Sequence, residues 1–332
     1  MSLHQLRTYV QACCISLAVL CMPLQADANT SPSSLLDASG TRVTIPAKPQ
    51  RVIALSEPDL DALLALKIQP VGATRGRGQT DFPTYLQPYL PLKPQPSISQ
   101  VGNFASPVLD AVLALRPDLI LAGGMADPEL VAQLRKIAPV VVSFQPGTPW
   151  QDSLRLVAQA VGRTAQAQAL LDNYQEQAKR LRLALQNKAG SSANGSSNGL
   201  TNSISIVRWN PQGPAYMLKQ SFASLVAADV ALARPTAQQQ PGSAHSPPLS
   251  LEALDKIDAD WLFVGTLNRS EAANNPANAA LNTARRNPAF AQLNAVKKGQ
   301  MVAVDGSLWT GPGGPLAALA VLQDIEKAML SK

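Results

Sequence analysis

The chain has almost none of the side chains that carry redox or metal chemistry. Of its 332 residues, 3 are cysteine and 2 are histidine. Cys13, Cys14 and Cys21 all fall within the first 28 residues, so the remainder has neither a thiol nor a disulfide and must be held by its core alone. Beyond that point the one histidine is His245, in a Pro/Ser loop, and it reads as a surface residue. Zinc and manganese sites draw on several histidines and carboxylates, which disfavours a side-chain metal centre. Haem would need tyrosine ligation, for which Tyr85 and Tyr216 are available without any supporting motif.

Phosphate-binding glycine motifs are missing as well. A nicotinamide or flavin site needs glycines between the first strand and helix, where the backbone must approach a pyrophosphate. Here that turn is Leu55-Ser56-Glu57-Pro58, and Gly76 and Gly78 supply only a fragment of such a motif. Neither a GK[ST] phosphate loop nor a G-x-S-x-G elbow occurs. With no nucleophile-base pair or paired carboxylates placed at strand ends, an α/β enzyme is the disfavoured reading. The formal net charge of +6 is spread without a Lys/Arg stripe or basic-aromatic interleaving, which argues against a nucleic-acid partner.

Long apolar runs are confined to the N-terminus. Arg7 makes a basic start, Val10 to Met22 is too short to span a bilayer with margin, and Ala26-Asp27-Ala28 is a small-x-small cleavage site. Residues 1–28 therefore read as a cleaved signal peptide, with the mature protein beginning near Asn29 in the periplasm. Its removal takes away Arg7 and Asp27 and leaves the charge at +6. Leu20 is too bulky for the residue that precedes a lipid-modified cysteine, so Cys21 is not read as an anchor.

What is present is a repeated α/β unit. In VGNFASPVLDAVLALRPDLILAGG (101–124), Ser106 is the expected N-cap and Pro107 the first helical residue. Leu109, Val112 and Leu113 form the expected buried face, Pro117 ends the helix, and Leu119 to Ala122 is a strand covered on both sides. The same phrase returns as LEALDKIDADWLFVG from Leu251, placing Asp110 over Glu252 and Asp118 over Asp260. Two copies imply two similar α/β lobes.

The rest of the chain fits that plan. LDASGTRVTIP (36–46) reads as a hairpin turned at Ser39-Gly40, and Val52 to Ala73 as a strand-helix-strand unit. Residues 29–149 make the first lobe, 150–188 a connecting helical segment broken near Gly162, and 189–332 the second lobe. Ala189 to Ser203 is Gly/Ser/Asn-rich and reads as a mobile surface loop. In open parallel sheets ligands sit beyond the carboxyl ends of the strands, which selects Arg75, Arg77, Arg208, Trp209, Tyr216 and Trp309, with Tyr85 joining the candidate set. Guanidinium groups beside aromatic rings suit a large, partly apolar anion.

The stretches RVIALSEPDLDALLALKIQPVGAT, VGNFASPVLDAVLALRPDLILAGG and SLEALDKIDADWLF resemble the periplasmic binding proteins of iron-siderophore and vitamin B12 ABC importers. VRWNPQGPAYMLKQSFASLV followed by ARP is similar to the ferric-siderophore branch. The resemblance implies two Rossmann-like lobes joined by a single long α-helix, the class III architecture, with little movement on binding. It implies a monomer without catalysis or cofactor that captures a ferric siderophore and hands it to an inner-membrane ABC permease with its ATPase. Cobalamin or haem is the alternative cargo on the same fold. It also implies that Asp110 and Glu252 dock the lobes to permease arginines.

Overall fold

The computed structural model describes residues 32–91, 97–191, 203–267 and 276–331. The expected signal peptide, the lipid-anchor question at Cys21 and the Gly/Ser/Asn-rich stretch from 192 to 202 lie outside the described residues. Among the described residues no helix is long and apolar enough to cross a membrane.

The N-terminal hairpin pairs Ser33–Leu36 with Arg42–Ile45, and its turn is built by one carboxylate. Asp37 Oδ1 accepts from the Ser39 and Thr41 N–H groups, while its Oδ2 accepts from Val142 N and ties the hairpin to the first sheet. That sheet has six strands in the order Ser106–Pro107, Ser99–Asn103, Gly72–Arg75, Val52–Ala54, Leu119–Leu121, Val140–Val141. All neighbours pair in parallel except Ser106–Pro107, which returns antiparallel along Ser99–Asn103. The expected N-cap at Ser106 is therefore corrected. Ser106 is in that edge strand and the helix Leu109–Ala114 starts from Val108, with no side-chain cap.

The second sheet is smaller, ordered Gly213–Tyr216, Ile204–Asn210, Trp261–Thr266, Met301–Asp305, with the first pair antiparallel and the others parallel. The repeat seen in sequence is real at the strand level, since Leu119 pairs with Val52 and Trp261 with Ile204. Its helices differ. Leu109–Ala114 is α-helical, whereas Leu251–Ile257 is a 3₁₀ segment kinked at Ala253.

Between the sheets run the helix Trp150–Ala160 and the 28-residue helix Thr164–Ser191, separated at Gly162 by a left-handed backbone (φ +67°) that favours glycine. The closing helix Pro315–Leu330 packs on the long helix and on Glu57–Ala65 of the first sheet. Its first turn lacks a local side-chain cap. Asp61, 255 positions earlier, supplies it by accepting from Leu316 N at 2.8 Å and Ala317 N at 2.9 Å. One core cluster runs through both inner sheet faces, from Leu121 through Trp150 and Tyr174 to Phe263 and Trp309, and each outer face has its own cluster. The shared core and the cross-sheet cap tie the two sheets together.

Candidate functional site

The carboxyl ends of the first sheet converge on Asp59. This fully buried carboxylate accepts from Ser56 Oγ at 2.7 Å, Gly123 N at 2.9 Å and Ser143 Oγ, residues that follow three different strands. Burial pushes its carboxyl up, opposed by the bonds from Ser143, Ser56 and Gly123. Gly123 and Gly124 lie beside it because nothing larger fits. A Cβ on Gly124 would stand 2.7 Å from the Phe144 ring, and its φ of +69° already favours glycine. The ring of Phe144 can thus lie over bare backbone.

Glu57, two residues earlier in the same helix, serves the next loop. Its Oε1 accepts from the N–H of Arg77, its Oε2 is buried without a partner, and burial raises its pKa to about 7 against the opposing Arg77 bond. With its backbone held there, Arg77 lays its guanidinium over the Phe104 ring, 4.5 Å from the centroid. From the second sheet comes Arg208, half-buried, its guanidinium pulled below its ordinary range by burial and by the nearby Arg77.

These groups line a cavity of about 320 Å³. Phe104, Phe144, Trp150 and Phe222 form its apolar walls, Gln145, Thr148, Gln220 and Ser243 add polar side chains, and Thr310 to Gly313 complete the lining. Among the described lining residues none is Asp or Glu. The described residues also contain no group of three or more His, Cys, Asp or Glu that could hold a metal ion.

Of the residues selected by strand-end position, Arg77 and Arg208 come together on this cavity and the others do not. Trp209 is a core residue, edge-to-face with Phe290 at 5.8 Å, and Tyr216 shares its cluster. The reason is strand alternation: Arg208 and Trp209 are neighbours, so they point to opposite sheet faces. Trp309 is fully buried, stacks on Phe263 at 4.6 Å and donates its indole N–H to Asp324. Arg75 stays outside the lining with its Nε buried and unpartnered, and the Tyr85 hydroxyl is buried beside Asp61.

Part of the lining comes from residues outside the strand-end candidates. His245 is half-buried on the cavity wall, not a plain surface residue, with Nδ1 2.8 Å from the Ser246 carbonyl. Phe104 and Phe144 each follow a strand of the first sheet, so their strand-end position was a usable signal. Trp150 opens the helix that leaves that sheet, packs edge-to-face on Tyr174 at 4.8 Å and keeps an unpartnered indole N–H. The acids of the floor, Glu57, Asp59 and Asp61, lie on the helix that follows the strand Val52–Ala54, and each accepts from a backbone N–H, while Glu57 Oε2 stays buried without a partner.

Asp110 and Glu252 each take the second position of their helical segment, and both are exposed. A hydrogen bond from Ser250 holds the Glu252 carboxyl below its ordinary range.

Two α/β sheets joined by one long helix, with a ligand-sized cavity between their strand-end loops, define the class III periplasmic binding fold. The chain belongs to the periplasmic binding protein family, whose model matches residues 52–308. It is 29% identical over 298 residues to the probable siderophore-binding lipoprotein YfiY of Bacillus subtilis, covering 88% of this chain and 86% of that one. With the achromobactin-binding periplasmic protein of Dickeya dadantii it shares 28% over 279 residues, 84% and 86% of the two chains. Among solved structures, Staphylococcus aureus SirA complexed with staphyloferrin B matches with a TM-score of 0.75 at 22% identity, covering 89% of this chain and 98% of that one.

Proposed function

We propose that this protein is the substrate-binding component of an ABC importer, capturing a ferric siderophore in the cavity and delivering it to an inner-membrane permease and its ATPase. The observation that carries the reading is the meeting of Arg77 and Arg208, from different sheets, on a cavity whose described lining has no acid. Two half-buried guanidiniums on one cavity, with Glu57 behind Arg77 as the acid near that charge, leave positive potential that an anionic ligand relieves. Phe104, Phe144, Trp150 and Phe222 exclude water and lower the local dielectric, which strengthens pairing between the guanidiniums and chelate oxygens. The iron enters as cargo inside its chelate, and no resident cofactor is part of the reading. The similarity to YfiY, a probable siderophore-binding lipoprotein, and to the achromobactin-binding protein supports the same reading.

Catalysis is not part of this reading: each acid near the cavity accepts from a backbone N–H through at least one oxygen, and among the described residues no nucleophile is hydrogen-bonded to the free Oε2 of Glu57. Haem propionates could also pair with the two guanidiniums, but haem iron would want an axial ligand such as tyrosine, and no tyrosine is among the described lining residues. The protein works as a monomer in the periplasm after signal-peptide cleavage, and Asp110 and Glu252 meet arginines of the permease. The test is native mass spectrometry of the protein exported by iron-starved source cells. A ferric chelate should travel with it and be lost from the Arg77→Ala, Arg208→Ala double variant. A protein that emerges carrying cobalamin or haem would overturn the siderophore reading.

A further inference from the structure

The two docking positions differ in a way that the repeat makes visible. Setting Leu109 over Leu251 places Val108 over Ser250, Leu113 over Asp255 and Ala114 over Lys256. In the second lobe these exposed neighbours of the acid are polar, and Ser250 holds the Glu252 carboxyl. In the first lobe they are apolar. Val108 is 53% exposed and Leu113 57% exposed, two of the five large apolar side chains that the described residues leave exposed. Asp110, Leu113 and Ala114 are spaced i, i+3, i+4 and so share one face of the helix, with Val108 at its cap. Among the described residues no hydrogen bond or ion pair engages Asp110, and Val108 has no hydroxyl to restrain it.

A single exposed leucine needs no explanation. An apolar pair bracketing a free acid, at places where the other lobe carries a hydroxyl and a charge, does. An exposed ion pair contributes little because water screens it, whereas removing one partner of an ion pair sealed from water by an apolar rim leaves the other unpaired and costs more.

We propose that Val108 and Leu113 form a rim that buries against the permease around the Asp110 contact, making the first lobe the affinity anchor and the Glu252 position a solvated guide. The surface that fits is a basic side chain set in an apolar cup, complementary in charge to Asp110 and in polarity to its neighbours. The asymmetry gives a protein that carries a matching acid on each lobe one preferred orientation on its partner. This rests on the docking role proposed for Asp110 and Glu252, and it goes beyond that role in assigning the apolar neighbours and the unequal weights.

The test uses the full chain in source cells deleted for its gene, supplied with ⁵⁵Fe(III) equilibrated in their own iron-limited spent medium. The variant Val108→Ser, Leu113→Asp gives the first lobe the second lobe's residues, and Val108→Thr, Leu113→Gln does so without new charge. Both should cut the initial uptake rate about tenfold at limiting binding protein, with melting midpoint and chelate binding unchanged. Asp110→Ala should cost several times more uptake than Glu252→Ala. Uptake within twofold of wild type for both rim variants overturns the inference. If Asp110→Lys with Glu252→Lys nonetheless abolishes uptake in that experiment, only the rim fails; if that double variant transports normally, the docking role fails with it. Rim variants that retain uptake but convert a wild-type dimer to monomer, read by sedimentation, would assign the patch to a second copy of this chain and overturn the permease assignment.

Discussion

Arg77 and Arg208 face one cavity from two different sheets, and the first guanidinium adds to burial in pulling the second below its ordinary range. No described lining residue is an acid, and Glu57, behind the wall, interacts with Arg77 alone, which leaves Arg208 for the ligand to compensate. Replacing either by alanine should weaken anionic ferric chelates by about 1–3 kcal/mol, roughly 5- to 150-fold, and leave neutral ones little changed. Arg75→Ala should bind as wild type, because Arg75 does not reach the lining. Parallel titrations of an anionic and a neutral ferric chelate check both statements.

The buried acids predict an unusual pH dependence. Burial raises Glu57 and Asp61 from 4.5 and 3.8 to about 7, and raises Asp59 in the same direction. Between those limits the folded state holds more protons than the unfolded one, so stability falls as pH rises. Their contribution is fully present below about pH 4 and is lost as pH climbs through about 7. Asp260 has the opposite sign, since its lowered carboxyl loses its contribution only as pH falls through its own range, outside this window. Thermal melting should give a higher midpoint at pH 5.5 than at pH 8, and Glu57→Gln with Asp61→Asn should flatten that slope. A midpoint that rises between those two pH values would contradict it.

Much of the frame was legible because the repeat carries its own register. Asp118 accepts from Gln50 N and Arg51 N, and Asp260 accepts from Ser203 N, so each aligned acid ties down the amino end of the strand that pairs with its own. The alignment found the two acids, although their task shows only when the strands are paired. Leu113 was expected in the core and is exposed, because a helix of six residues buries Val112 and has no second turn to cover the rest of its face. For the cavity, alternation along Ile204–Asn210 was the missing step: it sends Arg208 and Trp209 to opposite faces. Phe104, Phe144 and Trp150 are brought together by loop paths that no local periodicity encodes.

Docking through the repeated acids makes a separable prediction. Both Asp110 and Glu252 are exposed and support no described core contact, so Asp110→Lys with Glu252→Lys should leave ligand affinity and melting midpoint near wild type while abolishing uptake. If the acids merely complement their helix N-termini, worth about 0.3–1 kcal/mol each, the variant would be slightly less stable and transport normally.

Processing is checked by intact mass. The exported protein should begin near Asn29 and carry no lipid, and a diacylglyceryl mass on Cys21 would contradict the reading of the first 28 residues.

Capture of a ferric chelate is tested most directly by tryptophan fluorescence. All four tryptophans are buried, and of them Trp150 alone lines the cavity. Titration with ferric hydroxamate, catecholate and citrate complexes, beside cobalamin and haem, should show saturable one-to-one quenching by a ferric chelate. The response should be weaker for the iron-free chelator and much reduced in Trp150→Phe. No saturable response to any ferric chelate, with cobalamin or haem binding instead, would contradict the account.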